Sequence, residues 1–133
     1  MIIGKELLDS VSAQAKLSPR LRQSYDLRNF NDDKSQRMLN ALEPGTIMPI
    51  HRHRHSSETM IVIKGSLKEI FYDDNGNVIG EWICAPNTDC MGMNIPAGQW
   101  HNLVCLKVGT VIFEAKDGAW EPLGEEDVLD IIE

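Results

Sequence analysis

The sequence predicts an all-β fold, a small eight-stranded barrel of the jelly-roll kind carrying a short N-terminal helix. Three observations carry this. From Ser35 onward the apolar residues fall into strand-length runs separated by turn residues, no helical pattern interrupts them, and one separating segment holds the Asn75-Gly76 pair of a tight hairpin. Eight short strands without crossover helices can pack as two sheets closed around one core, leaving room for a single small ligand.

Taken in order, residues 4–17 place Leu7, Leu8, Val11 and Ala15 at helical spacing, and Ser18-Pro19 interrupts the pattern. This helix is expected to pack on a sheet. Residues 18–34 are rich in Arg, Asn and Asp and lack periodicity, which predicts an ordered loop. The expected organisation is one structural domain, with 1–34 as helix and loop packed on the barrel and 35–133 as the barrel itself. The strand-like runs are SQRMLNAL, TIMPIHRHRH, ETMIVIKG, LKEIFYD, VIGEWICA, CMGMNIP, HNLVCLK and TVIFEAK. Asp73-Asp74-Asn75-Gly76-Asn77 joins two of them, so their pairing should be antiparallel. The tail GEEDVLDIIE is compatible with a final helical turn or two, with Val128, Leu129, Ile131 and Ile132 available to pack.

The chain's 133 residues suffice for one hydrophobic core, and 42% hydrophobic with 25% charged residues is ordinary for a globular protein. Net charge is −7, and eight of the twenty acids crowd into Glu114 to Glu133, which argues against nucleic acid or anionic membrane as partners. The opening MIIGKELLDSVS has no charged leader ahead of an apolar core, and no stretch is long enough to span a bilayer, so a cytoplasmic location is expected. Cys84, Cys90 and Cys105 are odd in number and lack CxxC spacing. Reduced thiols are expected, neither paired with one another nor bound to metal.

Chemistry concentrates in two segments that hold all four histidines. In His51-Arg52-His53 the two imidazoles stand at i and i+2, so on a strand both project to one face and Arg52 to the other. Glu58 opens the next run with the parity of Met60 and Val62, opposite Ile61 and Ile63. His101 follows Pro96-Ala97-Gly98-Gln99-Trp100, a tight turn suited to aiming it inward. Convergent imidazole and carboxylate donors suit a divalent transition metal, iron, zinc, manganese or nickel, and His51, His53, Glu58 and His101 are the expected ligands. His55 falls at a turn and is read as exposed or supporting. Eight of the thirteen basic residues lie between Lys16 and Arg54. Either they form a solvated face, or Arg20, Arg22 and Arg37 fold over the barrel mouth and hold an anionic group in bidentate fashion.

These residues resemble the first motif of the cupin superfamily, in which a glycine, HxH, a glutamate and a second glycine recur at the spacing of Gly45, His51, His53, Glu58 and Gly65. The second cupin motif is met at its centre by Pro96, Gly98 and His101, while Cys90 and Cys105 replace its glycine and asparagine. The whole chain is similar to the WbuC family of cupin-fold metalloproteins, through the N-terminal helix, SPRLR, Asn29 to Asn31, QRMLNALEPGT and HRH. That resemblance implies a metal-binding barrel, a homodimer, and an association with bacterial surface-polysaccharide genes.

Four protein ligands leave positions open for water or substrate, as in catalytic sites. The leading expectation is an enzyme acting on a small polar or anionic molecule, such as a sugar or sugar nucleotide, by isomerisation or epimerisation. An iron-dependent dioxygenase and a non-catalytic binding or sensing module remain as alternatives. Tyr25, Tyr72 and Glu69 are read as structural, Trp100 as a core residue, and Cys105 as a small buried thiol.

Overall fold

The computed structural model describes residues 1–129. Among them ten strands form two five-stranded antiparallel sheets, and one α-helix precedes them. The helix α1 (Lys5–Leu17) buries Leu8, Val11, Ser12 and Ala15, the stripe its periodicity marks. The first sheet contains β1 (Arg22–Asp26), β2 (Ser35–Leu42), β9 (Thr110–Asp117), β4 (Glu58–Lys64) and β7 (Gly92–Ile95), in that spatial order. The second runs β10 (Val128–Leu129), β3 (Ile50–His51), β8 (Trp100–Cys105), β5 (Leu67–Tyr72) and β6 (Val78–Cys84). This is the jelly-roll arrangement expected.

Alternation decides what each strand contributes. In β4, Glu58, Met60 and Val62 are buried while Thr59, Ile61 and Ile63 are exposed, as parity requires. Inward residues of both sheets, including Leu42, Met60, Val62, Leu67, Cys84, Leu103, Cys105 and Ile112, form the core between them. Helix α1 covers the other face of the first sheet, where Leu8, Val11 and Ala15 meet Leu39, Ala41 and Val111. It lies over β1, β2 and β9 and leaves Ile61 of β4 exposed. On the other face of the second sheet, Ile50, Ile70, Tyr72 and Trp100 make a third cluster capped by Leu129.

Turns follow the local chemistry. Asp73 accepts backbone hydrogen bonds from Asn75 and Asn77 through its carboxylate, and Gly76 takes a positive φ of 82°, closing the β5–β6 hairpin. Gly65, at φ +84°, passes so close to β9 that an added Cβ would stand 2.2 Å from Thr110 Oγ1. Only glycine fits there without displacing backbone.

Three expectations are corrected. The segment 18–34 is not all loop, because Arg22–Asp26 pairs along its whole length with Leu42–Met38 of β2. Its backbone completes an edge of the sheet although its side chains show no alternating apolar pattern. The run TIMPIHRHRH yields only a two-residue strand, since beyond His51 the backbone bonds elsewhere: Arg52 N–H donates to Asp127 and His53 C=O accepts from Gly98. In the tail, Glu125–Asp127 forms one 3₁₀ turn and Val128–Leu129 pairs with β3, while Ile131 and Ile132 lie outside the described residues.

Candidate metal centre

His51 and His101 face each other as a register pair of β3 and β8, their ring centroids 4.3 Å apart. His53 joins them although it has left the strand. The Gly98 N–H donates to its carbonyl at 2.8 Å, tying the HxH segment to the Pro96–Gly98 turn that precedes His101. Nitrogens of His51, His53 and His101 all lie within 4.8 Å of one another, an arrangement that suits a divalent metal ion.

Each ring is oriented by a partner. His51 Nδ1 stands 2.9 Å from the Pro49 carbonyl, which can only accept, so Nδ1 carries the proton and Nε2 the lone pair. His101 Nδ1 lies 2.9 Å from Glu69 Oε1 in a buried contact. Burial pushes His101 down to about 4, and burial followed by the charge of Glu58 pushes Glu69 up to about 9. The contact is therefore a hydrogen bond between neutral groups and not an ion pair. Burial, then the neighbouring His101, likewise lowers His51 to about 4, so both imidazoles are neutral at pH 7.

Glu58 is buried and its Oε2 lies 3.1 Å from His53 Nε2. Burial raises its pKa, but the His53 hydrogen bond and the surrounding histidines outweigh this and hold the carboxyl below its usual value. On the other side of the ring, Lys116 Nζ is 3.3 Å from His53 Nδ1. Glu58 is thus brought to His53, beside the three-histidine cluster.

A group's fit to the centre is tested by its unmet hydrogen bonds. Among the described residues only Ser12 Oγ and His101 Nε2 are buried side-chain polar atoms without a partner. A nitrogen so placed among two other imidazoles meets the requirement of a metal ligand, and the Glu69 contact at Nδ1 is the outer support such ligands ordinarily have.

The cluster lines a cavity of about 370 Å³ between the sheets. Arg20 and Arg22 line it too, together with Gln36, Asn40, Glu114, Lys116 and Trp120. Arg22 is half-buried and donates to the Ile47 carbonyl at 2.7 Å, and both burial and the charge of Arg20 lower its pKa. Arg37 is not brought to the cavity. It has the opposite parity on β2 from the lining residues Gln36, Met38 and Asn40, and it pairs with Asp33 at 3.3 Å. His55 is exposed, and Arg52 lies outside the barrel, 4.4 Å over the Trp100 ring and bonded to Asp127. Trp100 donates its indole N–H to Asp74 and takes no part in the cavity.

Sequence reasoning read Glu69 as structural and passed over Glu114, Lys116 and Trp120. A signal for the first three existed: Glu69 shares its parity with the buried Leu67, and Glu114 and Lys116 share theirs with the buried Ile112. Burial, then the charge of Glu58, pushes Glu114 up to about 8, which puts an exchangeable proton beside the cavity near neutral pH.

The two sheets, the inward histidines and the two motif turns define a cupin-fold protein. Residues 3–84 match the model of a family described as a domain of unknown function (DUF6016), and the chain belongs to that family. Comparison with curated proteins gives no match. Among solved structures, KdgF from Halomonas sp. is similar at TM-score 0.60 and 13% identity, over 77% of this chain and 83% of that one. The capsular polysaccharide assembling protein CapF from Staphylococcus aureus reaches TM-score 0.66 and 22% identity over 79% of this chain. Oxalate decarboxylase from Bacillus subtilis, a protein with Mn(II) centres, reaches 0.58 and 18% over 83% of this chain. The chain spans 28% of that CapF chain and 27% of the decarboxylase. These likenesses are of fold. Among the described residues no helix is long and apolar enough to cross a membrane.

Proposed function

We propose that the chain binds one divalent transition metal, iron, zinc, manganese or nickel, through His51, His53, His101 and Glu58, and acts there on a small anionic molecule such as a sugar acid or phosphosugar. One observation carries the reading: His101 Nε2 is buried without a partner inside a three-histidine cluster that lines a cavity. A bound ion supplies polarisation of a carbonyl or hydroxyl oxygen. The chain's own groups do the rest. Glu69 and the Pro49 carbonyl orient two imidazoles, Arg20 and Arg22 hold the anionic group, and Glu114 gives or takes a proton from the cavity side. Proton transfer on a polarised substrate is the chemistry of isomerisation and epimerisation, the reaction class that Glu114 favours over oxygen chemistry. A role in surface-polysaccharide metabolism rests on the WbuC resemblance, and CapF, which shares the fold, is itself a capsular polysaccharide assembling protein.

Elemental analysis of protein purified without a metal-affinity tag tests the metal. About one equivalent per chain is expected. His53→Ala and His101→Ala should lose it, and His55→Ala should keep it, because His55 is exposed away from the cluster. Equal loss at His55 would sink the assignment, as would wild-type protein that takes up no transition metal.

A further inference from the structure

Cys84 and Cys90 lie outside the histidine cluster and are free thiols. Their positions are unusual. Cys84 ends β6, the edge of the second sheet, and Cys90 stands two residues before β7, the edge of the first. The intervening turn is folded back on itself: Ala85 N–H donates to the Cys90 carbonyl at 3.0 Å, and the Thr88 hydroxyl lies 2.8 Å from the carbonyls of both Ala85 and Cys90. Asn87 takes a left-handed φ of 60° to close it. The turn thereby holds the two sulfurs 3.1 Å apart, inside the roughly 3.5–4.0 Å at which non-bonded heavy atoms ordinarily rest.

We propose that Cys84 and Cys90 form a reversible dithiol–disulfide site, oxidised by low-molecular-weight disulfides, that staples the free edges of the two sheets together. Cys90 is partly exposed behind the exposed residues Asn87, Thr88 and Asp89, whereas Cys84 is fully buried. Burial and then the Cys90 contact push the Cys84 thiol up to about 12, so it cannot lead the reaction. Cys90 therefore attacks first. Its thiolate forms a bond to one sulfur of the small disulfide RSSR, the S–S bond breaks, and RS⁻ leaves with the proton that Cys90 gave to solvent. The Cys84 sulfur then displaces the second RS⁻ from the mixed disulfide, and its proton passes to that leaving thiolate. Two protein thiols are oxidised and one RSSR is reduced to two RSH. Cys105 takes no part, because its thiol is buried on β8 near the carbonyls of Leu42 and Lys107.

The test exposes the native full chain to oxidised glutathione, quenches it in acid, then unfolds and alkylates it. One alkylated thiol is expected, against all three cysteines in the reduced control, with the oxidised chain lighter by two hydrogens before alkylation. The Cys84→Ser variant should stop with one glutathionyl group on Cys90, Cys90→Ser should take none, and Cys105→Ser should oxidise fully and leave no thiol to alkylate. Three alkylated thiols in the exposed wild type, a persistent glutathionyl adduct on it, or a disulfide that engages Cys105 would each overturn the proposal. Because the wild-type readout suffices, a variant that fails to fold does not blunt the test.

Discussion

In the metal-free protein Glu69 is a carboxylic acid kept neutral at pH 7 by burial and by the charge of Glu58. Its folded pKa, about 9, lies above the ordinary 4.5, so the stability it contributes is fully present below pH 4.5 and is lost as pH rises toward 9. Each pH unit in that window is worth at most about 1.4 kcal/mol. The Glu69→Gln variant keeps a hydrogen-bonding group beside His101 and cannot ionise. Chemical denaturation in the presence of a chelator should therefore find variant and wild type close at pH 5, with the variant gaining by several kcal/mol at pH 9; Glu114, pushed up to about 8, and His51 and His101, pushed down to about 4, contribute their slopes to both proteins. Parallel curves would show that Glu69 ionises normally. The histidines and Glu58 were legible because their parity and turn chemistry converge. Glu69 was legible only as an inward acid sharing the parity of Leu67, and its role as the partner of His101 appears only once β8 sets that histidine two positions away in register. Arg37 failed for the converse reason, as its alternation with Gln36 and Met38 points it away from the cavity whatever its charge.

At the scale of elements, the strands that apolar runs marked include β2, β4, β5, β8 and β9, which bury a face, and also the edge strands β6 and β7. Those missed, β1 and β10, are edge strands whose order comes from pairing to a neighbour, and a sequence pattern carries little of that. Glycine turns between elements were partly legible, though not their energetic ranking. Gly65 and Gly98 share nearly the same backbone, φ +84° and +82°, but a Cβ at Gly65 would strike Thr110 whereas one at Gly98 meets nothing within 4 Å. Substitution by alanine at Gly98 costs only the left-handed conformation, about 1 kcal/mol. At Gly65 the steric clash adds to it, and the loss should reach about 3 kcal/mol or more. Urea denaturation of the two variants isolates the clash, and equal losses would mean that the Gly65 turn shifts freely away from β9.

For the whole molecule the distribution of charge decides what the cavity accepts. The protein carries a net charge of −7 and repels anions at long range, so capture of one requires cations placed at the site and left unneutralised. The arginines divide in that sense. Among the described residues Arg28, Arg37, Arg52 and Arg54 are ion-paired to Asp26, Asp33 and Asp127, while Arg20 and Arg22, the two that line the cavity, have no carboxylate partner. Two neighbouring guanidiniums without a counter-charge are a receptor for carboxylate or phosphate. The cavity's size, about 370 Å³, suits one sugar ring with an anionic substituent. Glucose 6-phosphate and glucuronate should accordingly raise the melting temperature of the metal-loaded protein, and glucose should do so much less. Arg20→Ala and Arg22→Ala should each weaken the anions by roughly tenfold, the scale of a lost charged hydrogen bond, and added salt should weaken them further. Arg37→Ala should leave binding within about twofold, because its guanidinium already serves Asp33. If glucose stabilises as well as its phosphate, or if neither cavity arginine matters, the two guanidiniums are surface groups and the cavity takes a neutral ligand, while the histidine cluster and its metal are untouched by that result.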